Sequence, residues 1–531
     1  MRFGFAVDVY PVVEYNIVSL LCAYSFEGGV RVAAGSKFLT RVMLVIFACL
    51  VAVSLLITAW VGLESRSYLF ALALGFIAAA AVLVILHRVR GQTQVLNERI
   101  RAFGARKLCL ILALICFALH LIWVLLIRIE PFSDYQTYWQ CACALATGQA
   151  IESTEYIAVY PHILGYSSFL SIFVRIFGEY VLVGAVLNAA LTTLSGLLIF
   201  CICRRAAGEL AAAMGFVLWI FMPTKLMMNP LIFSEPLYTC LLLLFMLAVS
   251  ELERRQEKLS AKPLLWLLCG AALGLLMLWI NIVRPIAVIL LIAFLIWFLL
   301  LRGAALTKKR LWGTWGVISV CMLLVFKIGG SAWDSHVERV LGEEPASLPI
   351  YNIYVGFNED TQGQWSADDM DVLFAYKRGE NLTASEAQRR MLPHLKERLS
   401  SGIDFARLFR SKLFAFMGND ELGGYTYRFT RSESFVRVCM IIDNVYYFFV
   451  IALMLAGLYA LFRRGAQSAL FIVPLFALGL TLAHMLVEVS SRYHYSLIPM
   501  FIIAAAFTAA EKSKFGGYYH DAETVHSHSV L

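Results

Sequence analysis

Long apolar runs recur from about residue 42 to residue 510, and every second connection between them is basic. That pattern leaves few options, because a run of roughly 17 to 25 mainly apolar residues is what crosses a hydrocarbon core of ~30 Å as helix. Read on that length, the chain contains about twelve spans. They fall at 42–63, 67–87, 108–128, 180–203, 207–222, 231–250, 264–283, 285–301, 311–328, 437–462, 468–488 and 495–511. Hydrophobic residues make up 60% of the 531, more than a water-soluble fold of this size can hide. Backbone in lipid must satisfy its own hydrogen bonds, so the expected fold is an all-α integral membrane bundle.

Lys and Arg collect between Arg88 and Lys107, at Arg204 and Arg205, between Arg254 and Lys262, between Arg302 and Arg310, at Arg463 and Arg464, and at Lys512 and Lys514. All six clusters lie on one side of the alternation, which places that side and the amino terminus in the cytoplasm. The net charge of +8 is therefore chiefly a topology signal. Dispersed among loops, it forms no basic, aromatic-laced face for nucleic acid. Residues 1–41 lack a secretory-signal pattern, since Asp8 and Glu14 interrupt their apolar stretch, and read as a cytoplasmic or interfacial lead-in. The remaining expected divisions are a helix pair with its basic loop at 42–107, a core at 108–329, an extracytoplasmic, mainly helical loop domain at 330–435, and terminal spans with a short tail at 436–531.

On the outer face this topology gathers Asp134, Tyr135, Tyr160 and His162 in the first loop, Lys225 in the next, Glu235 at a span's start, Arg284 at a span's end, and Glu488, Arg492 and His494 in the last turn. Ionisable groups at the membrane edge are costly unless paired or hydrated, so their grouping at one level points to a shared aqueous cavity. Each also has a plainer role. Arg284, Arg492 and Lys225 can snorkel to the interface. Glu235 can complement a helix start, with Ser234 as cap and Pro236 in the first turn, and His162 can bond backbone. The stretch from Tyr156 to Glu179 reads as an interfacial helix, able to anchor the fold or guide a lipid toward Asp134. Cys141 with Cys143 lacks a second pair at metal spacing, and the acids of DDMD read as a helix start. Metal dependence is left open.

Four segments resemble one family when taken together: FSDYQTYW followed by ATG and YPHILGYSSFLSIFVRIFG; SEPLY at the outer start of a span; GFNEDTQGQWSADD; and EVSSRYHYSLIPMFIIAAA. The chain after about residue 108 resembles bacterial members of the glycosyltransferase C superfamily, in the protein O-mannosyltransferase and aminoarabinose-transferase-like group. The resemblance implies inverting sugar transfer from a polyprenyl-phosphate donor to an envelope glycan, lipid or protein outside the cytoplasm. It implies Asp134 as general base, Arg492 with Arg284 or Lys225 offsetting the phosphate, and no cofactor. The mannosyltransferase form has an Asp-Glu pair, whereas Tyr135 follows Asp134 here, which leaves the acceptor open. A flippase or secondary transporter for a phosphorylated or lipid-linked solute is the alternative, though such sites lie near the midplane between repeated halves, and no half-to-half repeat is visible.

Overall fold

The computed structural model describes residues 29–302, 309–464 and 468–510. Asp8, Glu14, Lys512 and Lys514 lie outside the described residues. Within them every regular element is helical, and the protein is an all-α membrane bundle. Nine of the described helices are long and apolar enough to cross a bilayer: Gly35–Glu64, Arg66–Arg88, Ala105–Leu126, Val181–Ala207, Glu235–Ser260, Pro263–Val283, Arg310–Leu341, Glu433–Arg463 and Ala469–Leu486.

Three of the twelve expected runs make regular helices shorter than that length. The apolar runs at 207–222, 285–301 and 495–511 fold as Glu209–Ile220, as Ala287–Ile296 continued by a π-helical turn, and as Ile498–Ala506. At ~1.5 Å rise per residue none of the three regular helices reaches across ~30 Å. Ile498–Ala506 is buried along its whole length, and Glu209–Ile220 along most of it. Packed among other helices, an apolar segment need not match the lipid. The described residues open in helix, at Gly29.

Small residues set the closest helix contacts, as expected where lipid removes the hydrophobic drive between helices. A Cβ on Gly75 would lie 2.7 Å from the Val445 carbonyl oxygen, so the helix Arg66–Arg88 can approach Glu433–Arg464 only through glycine. Gly457 meets the Ala504 carbonyl in the same way. Between the ninth long run and the next, Lys309–Leu341 continues past the membrane-length segment, and short helices follow at Ile350–Gly356, Ala367–Gly379, Ala384–Arg390, Leu392–Ser400 and Phe405–Met417. The DDMD acids do open a helix: Ser366 caps it by accepting from the Asp369 amide, and Asp369 pairs with Arg398 at 2.8 Å.

Candidate functional site

Local sequence fixes four charged side chains at helix ends. Pro285 disfavours helix for the residue before it, so Pro263–Val283 stops and Arg284 is extended, at φ −151° and ψ 124°. Pro236 is tolerated in a first turn, which lets a helix start at Glu235. Ser234, the cap expected from sequence, makes no capping bond. Asp134 opens the helix Asp134–Thr147 directly after Ser133, whose φ of 50° and ψ of −135° is a conformation that side-chain-bearing residues avoid. Such strain costs about 1–3 kcal/mol and concentrates at working sites. Arg492 lies in the tight turn Ser491–His494, where the Ser490 hydroxyl accepts from its amide.

These ends converge. The Tyr156 hydroxyl donates to Asp134 Oδ1 at 2.7 Å, and Arg492 donates to Asp134 Oδ2 at 3.1 Å. Arg492 Nε lies 3.3 Å from Glu235 Oε1, and Arg284 forms a second ion pair with Glu235. The order is thus Tyr156, Asp134, Arg492, Glu235, Arg284, with alternating charge in its last four members. Asp134 is the most open of the four, its side chain 31% exposed against 16% for Arg492, 13% for Arg284 and 5% for Glu235. One carboxylate thus faces the solvent side while the other lies beneath it, between two guanidinium groups.

Aromatic rings wall the cluster. Arg492 lies over Tyr135 at 5.8 Å and Tyr493 at 5.7 Å, and Arg284 over Tyr493 at 5.7 Å. Tyr160 packs against Tyr156, His162 and Tyr351. The helix behind them, His162–Phe177, lies so close to the end of Pro263–Val283 that a Cβ on Gly165 would be 2.2 Å from the Ile282 oxygen. Burial pushes the Asp134 carboxyl up, but the Arg492 charge and the bonds from Tyr156 and Arg492 bring it below its ordinary value. Burial, reinforced by Arg284, pushes His162 down to about 3, so its imidazole is neutral near pH 7. Arg492 is disfavoured by burial and still held well above its usual value by Glu235, Tyr135 and Asp134.

Lys225 and His494, expected beside Asp134, belong instead to an adjoining cluster on the other side of the arginine turn. His494 Nε2 is 2.9 Å from Asp420 Oδ1 and its Nδ1 is 2.6 Å from the Phe416 carbonyl oxygen. Thr224 donates to Asp420 Oδ2 at 2.8 Å. The Lys225 ammonium is fully buried, 3.4 Å from the centre of the Tyr495 ring, and has no hydrogen-bond partner among the described residues. Burial pushes it down to about 8 against the pull of Asp420, Asp443 and Glu235. A small pocket between the clusters is lined by Lys225, Asp420, Arg492 and His494.

Sequence reasoning missed Asp420, Asp443, Tyr493 and the bond from Tyr156. It also missed Lys412, whose ammonium donates to the Gly356 and Val487 carbonyl oxygens, each at 2.7 Å. That bolt ties the GFNEDTQG loop to the EVSSRYH turn, which also pair through Val489 N–H and the Gly363 oxygen at 2.9 Å. No protein-family model and no curated protein sequence matches the chain. Among solved structures, similarity is found to the archaeal oligosaccharyltransferase AglB from Archaeoglobus fulgidus, in complex with an inhibitory peptide and a dolichol-phosphate. Identity is 13% and the TM-score 0.40, over 77% of this chain and 50% of that one, so the match spans half the length of AglB.

Proposed function

We propose that this protein is a membrane glycosyltransferase that moves a sugar from a polyprenyl-phosphate donor to a hydroxyl of an envelope glycan, lipid or protein on the extracytoplasmic face, with inversion. The observation that carries the reading is convergence. Three of the four family-like segments supply members of one charge network, although Asp134 and Arg492 are 358 residues apart in sequence. The fourth, GFNEDTQG, is bolted to the turn that holds Arg492.

In this reading the acceptor oxygen attacks the anomeric carbon, the bond from that carbon to the phosphate oxygen breaks, and the electron pair leaves with the phosphate. Asp134 takes the hydroxyl proton. Arg492 and Arg284 meet the charge that grows on the phosphate, in a buried place where such contacts count for more than in water. Glu235 holds both guanidinium groups in position before the donor arrives. Because Arg492 also holds the Asp134 carboxyl low, a donor phosphate that draws Arg492 away makes Asp134 a stronger base. The base is thereby switched on by the donor.

The test is transfer of radiolabelled sugar from short-chain polyprenyl phosphates to envelope extract, comparing the wild-type chain with Asp134→Asn at matched folding. Transfer by the wild type and its loss in the variant is the expected result. Equal transfer by both removes Asp134 as base, and uptake of a phosphorylated solute into proteoliposomes with no glycosyl product would put a transporter in its place.

A further inference from the structure

Among the described residues, the helices Gly29–Glu64 and Arg66–Arg88 contribute no side chain to the Asp134 network, yet the ends at which they meet reach toward it. Thr58 donates to the Gly418 carbonyl oxygen at 2.8 Å, one of the oxygens that the helix Phe405–Met417 leaves unbonded at its end. Tyr68 donates to Glu421 Oε2 at 3.0 Å and sets its ring edge-on to Phe414. Arg410 lies 4.4 Å from the centre of the Trp60 ring. All of these contacts hold one short piece of chain, residues 410–421, and Asp420 lies within it.

From Tyr68 the hydrogen bonds run on without a break. Asn444 donates its amide to Glu421 Oε2 at 3.4 Å and accepts from the Asp420 backbone amide at 2.9 Å. The Asp420 carboxylate then receives Thr224 and His494. The Phe416 carbonyl is an acceptor only, so His494 Nδ1 must donate there. Its Nε2 faces a carboxylate, and the ring is fixed from both edges. His494 is two residues from Arg492 in the same tight turn.

We propose that the first two helices are a positioning element: through Tyr68 and Thr58 they hold Asp420 against His494, and so set where Arg492 meets Asp134. Tyr68 and Thr58 are positioning residues, since neither touches the charge network. The effect on transfer rests on the glycosyltransferase reading, whereas the effect on the turn does not.

The experiment is hydrogen exchange on the full chain in lipid nanodiscs, for wild type, Tyr68→Phe, Thr58→Val, Asp420→Asn and Tyr68→Phe combined with Asp420→Asn. Removing one hydroxyl should speed amide exchange over 490–496 by about fivefold, roughly the factor that a lost hydrogen bond of 1 kcal/mol gives. Adding Tyr68→Phe to Asp420→Asn should speed it no further, as coupled groups are not additive. In transfer assays the donor KM should rise and kcat should fall, each several-fold, because Arg492 meets the phosphate on binding and the charge that grows on it in the transition state. Wild-type exchange over 490–496 in both single-hydroxyl variants overturns the proposal, even if their melting temperatures fall. Additive exchange in the combined variant overturns it as well. If wild type transfers no sugar from any donor, the transferase reading fails while exchange still decides the coupling.

Discussion

One helix, Glu235–Ser260, carries at its two ends the same chemical unit in opposite settings. At its start Glu235 is held by Arg284 and Arg492, and the most exposed of these three side chains is the 16% of Arg492. Near its end Glu251 is held by Arg205 at 3.2 Å, Arg254 at 2.7 Å, and Arg255, with arginines 34%, 49% and 64% exposed. The second cluster is exposed and belongs to the excess of Lys and Arg from which the sequence predicts the chain's orientation. The first is desolvated, shares an arginine with a second carboxylate, and opens to solvent at that carboxylate. Residue type alone therefore does not separate a topology signal from a site. Burial and the surplus acid do.

The largest expected effect breaks the comparison at its functional end. Asp134→Asn should lower transfer by roughly 10²–10⁴-fold, the usual worth of a general base, while Glu251→Gln leaves transfer within about twofold, since surface pairs contribute little. Both are measured as initial rates on folded protein in one membrane preparation. A loss of transfer in Glu251→Gln equal to that in Asp134→Asn would erase the distinction.

Next comes stability. Glu235→Gln leaves two arginines without their shared counter-charge, and breaking a buried pair from one side costs about 3–5 kcal/mol. Unfolding in denaturant, with Arg284→Met added to Glu235→Gln, sharpens this: removing one stranded cation should recover part of the loss. No recovery would mean that Glu235 acts through packing.

Much of this was legible before the fold was known. Apolar length located the helices, and placement at span ends found Asp134, Glu235, Arg284 and Arg492, because charges at one level of a membrane protein have few places to go. Three apolar runs gave shorter regular helices than their length suggested, since hydrophobicity does not distinguish lipid from protein as a helix's surroundings. Lys225 and His494 were found, but their partner was not. Asp420 lies in FMGNDELGG, which resembles any polar turn ahead of a span, and only tertiary packing brings it to a histidine 74 residues away. Lys412 in LFRSKLF carries no mark of burial, because its two acceptors are backbone carbonyls from distant loops. The adjoining ends of the first two helices had no visible role for the same reason: their contacts end on a backbone oxygen and on an acid in another segment.

A smaller effect is expected in acid. His162 has a folded pKa near 3, below the unfolded value of 6.5. Between those values the unfolded chain binds the extra proton and the folded one does not, so stability rises with pH across that window and is lost as pH falls. His162→Asn should flatten the dependence of unfolding free energy between pH 4 and 6.5, by roughly 1–3 kcal/mol in total. An unchanged slope would mean that other groups set it; Asp134 is not one of them, since its depressed carboxyl acts in the same direction only at lower pH.

The smallest effect tests the exposed end on its own terms. Glu251→Gln should cost less than about 1 kcal/mol at low salt, and that cost should vanish near 1 M salt, where the screening length shrinks to ~3 Å. The loss in Glu235→Gln should persist in the same buffer, because ions do not enter between Glu235 and guanidinium groups that are themselves mostly buried. A shared salt dependence would show that water reaches both clusters. The arginines near Asp134 would then be screened before any phosphate arrived, and the case for their holding a charged donor would weaken with them.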